Sequence, residues 1–201
     1  MEVAVEGVDR WPAAPAAGRE GIRPGTENAL RMVVLGIDPG LATCGFGVVV
    51  RRGHRLLAAD GGVIETPSGL APERRLATLH ERVAALLDEH EPDAVALEAL
   101  YFGQNVRTAF AVGQARGAVM LAAGQRGVAC VDYTPQQVKG AVCGAGRADK
   151  GQVARMVQAL LSLPEPPGPD HAADALAVAI CHANHAPMAL AHEAARSGVA
   201  P

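Results

Sequence analysis

Two hydrophobic rhythms alternate along this chain. From Met32 the apolar run Val33-Val34-Leu35-Gly36-Ile37 stops at Asp38-Pro39-Gly40, which predicts a strand ending in a turn. Phe46 to Val50 predicts a second strand. Arg51-Arg52-Gly53-His54 reads as a hairpin-like link into a third strand, from Arg55 to Glu65, with glycines near its end. Three such strands in succession predict an antiparallel meander. The period then lengthens, because Leu76, Leu79, Val83, Leu86 and Leu87 recur at helical spacing between Pro72 and the break at Glu91-Pro92.

Beyond that break, strand and helix alternate. Asp93 to Glu98 is a fourth strand, residues 105–125 are Ala-rich with a helical period, and Val128 to Val131 is a fifth strand. Thr134-Pro135 opens a helix with a capping residue and a proline at the first position. Asp149 caps another, running to about Leu163. Pro164-Glu165-Pro166-Pro167-Gly168-Pro169 cannot be helical, so Asp170 is expected to cap a last helix that ends near His182. A meander followed by alternating elements predicts an α/β domain with a mixed five-stranded sheet and helices on both faces, since parallel neighbours need crossovers.

The ends lack either rhythm. Residues 1–31 mix prolines, glycines and scattered charges and read as a disordered N-terminal extension. Residues 32–185 are the expected domain, with Met32 as an alternative start, and 186–201 read as a frayed tail. With 201 residues, 49% apolar and 19% charged, the chain suits one compact domain. A net charge of −3 gives no global basic signature, so any nucleic-acid contact must come from a local patch. Lys139 and Lys150 are the chain's two lysines and lie close together in sequence. Cys44, Cys130, Cys143 and Cys181 form no CxxC pair and are expected to be reduced core thiols. No run reaches the roughly 18 apolar residues of a membrane span, and no signal-peptide pattern opens the chain, so a cytoplasmic location is expected.

The acidic residues sharpen this picture. Asp38 and Glu98 each close an apolar strand, at the strand end where open α/β sheets place their sites. Asp38 before Pro39-Gly40 also suits a plain turn former. Glu98 is followed by Ala99-Leu100-Tyr101-Phe102, where an unpaired charge is costly without a cation. His171 and Asp174 stand three apart, on one face of an otherwise apolar helix; the plain alternative makes His171 a first-turn surface residue and Asp174 a favourable charge near the positive helix end. Carboxylates meeting in a cleft need divalent cations, and oxygen-rich sets favour Mg²⁺ or Mn²⁺, a chemistry suited to phosphodiester hydrolysis. Tyr101 and Phe102 are candidates to stack on unpaired bases, or else core residues. Lys139 and Lys150 are candidates for phosphate contact or transition-state stabilisation, and Arg107, Arg116 and Arg147 for further phosphate contact. His182 and His185 are read as favourable charges near the end of the last helix.

Together, Gly36-Ile37-Asp38-Pro39-Gly40, Glu98 before an aromatic pair, Gly113-Gln114-Ala115-Arg116-Gly117 and Asp170 through Ala177 resemble the RuvC Holliday-junction resolvases over residues 32–182. Tyr133 to Lys139 and Asp149-Lys150 look like that family's lysine-bearing region. The resemblance implies a ribonuclease-H-like fold, a homodimer, and paired symmetric nicks in four-way DNA junctions during recombination and repair. It further implies two Mg²⁺ or Mn²⁺ ions per site and the RuvA and RuvB branch-migration proteins as partners. Carried over by motif, Asp38, Glu98 and Asp174 are metal ligands, Lys139 and Lys150 assist catalysis, and Tyr101 is the stacking or wedge residue. His171 stands where many members carry aspartate. Imidazole suits Mn²⁺ better than Mg²⁺, so a Mn²⁺ preference is expected. Three other readings stay open: an actin-like ATPase or sugar kinase, a ribonuclease-H-like nuclease acting on RNA, and a junction binder without chemistry. The first lacks a second glycine-rich phosphate loop, and the intact acidic positions weigh against the last.

Overall fold

The computed structural model describes residues 8–10, 31–99 and 106–197. The five expected strands form one sheet. Strands β2 (Arg31–Asp38), β3 (Thr43–Arg52) and β4 (Arg55–Glu65) make the antiparallel meander, while β5 (Ala94–Glu98) and β6 (Ala129–Tyr133) run parallel beside β2. Helix α1 (Pro72–His90) leads into β5, and α2 (Val106–Gly124) carries the chain from β5 to β6. Helices α3 (Pro135–Cys143), α4 (Lys150–Leu161) and α5 (Asp170–Ser197) complete the chain.

Side-chain alternation divides the sheet into two faces. Val33, Leu35 and Ile37 of β2, with Phe46, Val48, Val95 and Leu97, pack under α1 and α2. Val34, Val49 and Ala96 pack on the opposite face, under α3, α4 and α5. Asp38 and Glu98 share the parity of Val34 and Ala96. The period that builds the core therefore turns both carboxylates toward α5. Parallel pairing of Ile37 with Leu97 sets them side by side at the ends of adjacent strands.

Capping follows the sequence closely. Thr134 accepts from the Gln137 N–H while the Gln137 side chain answers the Thr134 N–H, a complete capping box ahead of Pro135. Asp149 accepts from the Gln152 N–H at 2.8 Å and starts α4. In α5 the Pro169 carbonyl takes the first bonds, from the Ala172 and Ala173 N–H groups, so Asp170 stands inside the first turn rather than at the cap.

Three expectations about the periphery are corrected. The sheet has six strands, in the order β1-β4-β3-β2-β5-β6, because Val8–Arg10, inside the segment read as a disordered extension, pairs antiparallel with β4 as strand β1. An open β4 edge offers unpaired backbone groups, and three residues suffice to meet them without any readable period. Arg10 secures the addition with a fork onto Glu89, at 3.1 and 2.6 Å. Helix α5 continues to Ser197 instead of ending near His182, so residues 186–197 are not a frayed tail; the density of alanine favours helix there. His182 and His185 consequently lie mid-helix. His182 is buried and its Nδ1 meets the Tyr133 hydroxyl at 2.9 Å, while His185 Nδ1 meets the Cys181 carbonyl at 2.8 Å. Neither is a dipole partner at a helix end. All four cysteines are free thiols; Cys44 and Cys181 are buried, and desolvation holds each thiol up at about 12.

Candidate functional site: an acidic cluster at the strand ends

Helix α5 reaches the sheet over a patch that has no side chains. A Cβ added to Gly36 would lie 2.1 Å from the Ala175 carbonyl oxygen, and one added to Gly45 would lie 2.0 Å from the His171 carbonyl oxygen. At Gly47 it would meet Leu176 at 2.7 Å. Only glycine permits this approach of helix backbone to strand backbone. The consequence is positional, because the first turns of α5 carry His171 and Asp174 directly over the ends of β2 and β5.

The polar groups converge there. His171 Nδ1 lies 2.6 Å from Asp38 Oδ2, and Lys150 Nζ, from the first turn of α4, lies 3.4 Å from Asp174 Oδ2. Desolvation pushes the Glu98 carboxyl up to about 7, with repulsion from Asp38 and Asp174 adding to it and the ammonium groups of Lys150 and Lys139 opposing it. Asp174 is raised as well, first by desolvation and then by Asp38, against the pull of Lys150. Lys150 in turn is raised mainly by Asp174. Two carboxyl groups pushed up in this way, with Asp38 and an imidazole beside them, form a donor set short of positive charge. Such a set fits a divalent cation. A cavity of about 450 Å³, bordered by Gly40, Thr43, Arg75, Ala111, Val112 and His171, opens next to it.

Asp38, Glu98, His171, Asp174 and Lys150 are thus brought together, and half-buried Lys139 of α3 joins them electrostatically. Arg147 is exposed on the loop between α3 and α4. Tyr101, Phe102 and the side chain of Arg107 lie outside the described residues. Arg116, expected to contact phosphate, is engaged within the protein: its side chain is only 12% exposed, it is paired with Asp132 of β6, and it donates to the Glu98 main-chain carbonyl at 3.2 Å.

Among the described residues, the group of three whose ligand atoms all lie within 4.8 Å of one another is Asp60, Glu89 and His90; no three of Asp38, Glu98, His171 and Asp174 come that close. His90 ends α1 just ahead of β5, so this group lies at the strand end opposite Glu98. Arg10 already balances its charge, through Glu89 and, at 3.5 Å, Asp60.

Sequence reasoning missed Gly36, Gly45 and Gly47 as the seat of α5. Glycine recurring inside buried strands was the available signal. It also missed the Tyr133–His182 contact that ties α5 to β6, for which the sequence carries no signal.

The arrangement has counterparts among known proteins. The family model described as crossover junction endodeoxyribonuclease RuvC matches residues 34–182. A crossover junction endodeoxyribonuclease RuvC from Thermomicrobium roseum is 56% identical over 151 residues, covering 75% of this chain and 92% of that protein. One from Moorella thermoacetica is 52% identical over 156 residues, covering 78% and 93%. The structure of Thermus thermophilus RuvC in complex with Holliday junction substrate superposes with a TM-score of 0.75 at 43% identity, covering 79% of this chain and 96% of that one. With half its matched residues shared with such enzymes and their fold retained over nearly their whole length, this chain belongs to the RuvC family of crossover junction endodeoxyribonucleases.

Proposed function

We propose that this protein resolves four-way DNA junctions by hydrolysing one phosphodiester bond per subunit, in paired symmetric nicks, during recombination and repair. The observation that carries the reading is the convergence of Asp38, Glu98 and Asp174 at the ends of strands β2 and β5, near enough that burial and these acidic neighbours hold Glu98 up to about 7. Asp38, Glu98, Asp174 and His171 would hold divalent cations, two per site. Bound there, the cations supply an activated water and charge stabilisation for the leaving oxygen. Asp38 and Glu98 present carboxylate oxygens from rigid strand ends, and α5 closes the set with Asp174 and His171. Lys150, 73% exposed, opposes the upward push on Asp174 and presents an ammonium group to the phosphate beside it. Lys139 acts from α3 on the same anion. Tyr101 and Phe102 follow Glu98 directly and are suited to stack on bases at the junction centre. Arg107 and Arg147 are suited to backbone phosphates.

The active form is a homodimer. Phe110, Met120 and Leu121, large apolar residues left exposed on α2, support a self-association surface there. The RuvA and RuvB branch-migration proteins are the partners the family implies. No helix among the described residues is long and apolar enough to cross a membrane. Four unpaired cysteines agree with a reducing, cytoplasmic setting.

The test is nicking of a synthetic four-way junction. The parent protein should cut with Mg²⁺ and faster with Mn²⁺ at matched concentration, because His171 adds an imidazole to the donor set. Asp38→Asn should abolish cutting while leaving junction binding in EDTA intact. Persistent cutting by that variant removes the mechanism, and equal or slower cutting with Mn²⁺ removes the metal preference.

A further inference from the structure

Glu98 projects toward α5, yet its main chain is held from behind, on the α1/α2 face. Arg116 of α2 reaches the end of β5 and donates one guanidinium N–H to the Glu98 carbonyl oxygen at 3.2 Å. The second arm of the guanidinium is paired with the Asp132 carboxylate on β6. The next residue is tied as well, since the Ala99 N–H donates to the Tyr133 carbonyl at 2.8 Å. Strand β5 ends at Glu98 and the next described element is α2, so Arg116 joins the strand end to the helix that follows.

We infer that Arg116, buttressed by Asp132, is a positioning residue that fixes the main chain at Glu98 and thereby places its carboxylate among Asp38 and Asp174. The inference rests on the reading of Glu98 as a metal ligand.

Three features support positioning rather than simple packing. A strand end has lost its ladder partners on one side, so its last carbonyl is free to swing unless a donor meets it. A guanidinium offers a rigid fork of donors and can hold a carbonyl and a carboxylate at once, in a fixed relation that an ammonium cannot reproduce. And the group it locates stands beside Asp38, because the parallel pairing of Ile37 with Leu97 sets the two strand ends level. A ligand so placed gains from a fixed location, since a small swing of the strand end carries its carboxylate away from the other donors.

Arg116→Met and Asp132→Asn test the proposal, with Glu98→Gln as reference. Mn²⁺ binding is followed by electron paramagnetic resonance titration of the metal-free dimer, junction Kd is measured in EDTA, and junction cleavage is measured in single turnover. Arg116→Met should weaken Mn²⁺ binding and slow cleavage by about 10- to 100-fold, the range usual for groups that orient metal ligands, with junction Kd unchanged. Arg116→Lys should restore part of the loss. Asp132 is half-exposed, so Asp132→Asn keeps the arginine and the fold and should give a smaller loss in the same direction. Wild-type Mn²⁺ affinity and cleavage in Arg116→Met and Asp132→Asn overturn the positioning role. A loss confined to junction Kd overturns it too, and returns Arg116 to phosphate contact. Should Glu98→Gln itself bind Mn²⁺ and cut like the parent, the metal-ligand reading fails first, whatever Arg116 does.

Discussion

On the α1/α2 face of the sheet, Leu35, Ile37 and Phe46 meet Leu79, Val83 and Leu86 through long side chains, whereas on the other face Gly36 and Gly45 meet the backbone of α5 itself. Both faces are dry, but they tolerate error differently. Long aliphatic chains can change rotamer and refill space, so the first face defines stability more than position. Backbone against backbone has no such slack. Because α5 carries His171 and Asp174, any lift of the helix off its glycine seat moves two members of the acidic cluster away from Asp38 and Glu98. Stability and the geometry of the acidic cluster are thus largely assigned to opposite faces, with Arg116 as the exception that holds the main chain of Glu98 from the α1/α2 face.

That division can be broken by experiment. The largest effect on cleavage is expected from Gly45→Ala, where a new Cβ would stand 2.0 Å from the His171 carbonyl oxygen. Displacing α5 by about an ångström should cost on the order of 100-fold in single-turnover cleavage. Gly36→Ala, against the Ala175 carbonyl, should behave alike. A folded Gly45→Ala protein that cuts at the parental rate would show that the close approach is not needed. On the opposite face, Leu86→Ala should lose about 2–5 kcal/mol of stability, read by urea denaturation, as the cavity and the lost transfer energy add. Its cleavage rate at low temperature, where it remains folded, should stay near that of the parent. A rate loss matching that of the glycine variants would erase the distinction between faces.

The smallest and most specific effect is one of pH. The folded Glu98 carboxyl sits at about 7 against 4.5 for a free one, so its protonated form is favoured by folding. Its contribution to the stability of the metal-free protein is complete below pH 4.5 and is lost as pH rises through 7; Asp174 shifts in the same direction. Denaturation in EDTA should therefore show the parent losing stability across that window relative to Glu98→Gln. Adding Mn²⁺ should reverse the loss. Parallel pH profiles for the two proteins would mean that the cluster is not under charge strain.

Much of this was legible in the chain. The meander, the change of period at Pro72 and the caps at Thr134 and Asp149 are local features, written in the spacing of a few neighbouring residues. The candidacy of Asp38 and Glu98 was legible for the same reason, as charges placed at the ends of apolar runs, and that of Asp174 through its spacing from His171 in an apolar helix. Other features were not. The edge strand Val8–Arg10 is too short to carry a period and exists because β4 has an edge to fill. Arg116 looked like any basic helix residue, since nothing in its neighbourhood along the chain reveals Asp132 or the Glu98 carbonyl.

The sequence by itself determined the two periods, the strand ends that carry the acids, and the spacing that sets His171 and Asp174 on one side of a helix, because each depends on residues within a turn or two of one another. Only the tertiary structure decided that α5 lies on Gly36 and Gly45, that Glu98 is half-buried beside two like charges, and that Arg116 faces inward. Those are relations between separate elements of the chain, fixed by how surfaces fit once the sheet exists, and pattern along a chain carries no measure of fit.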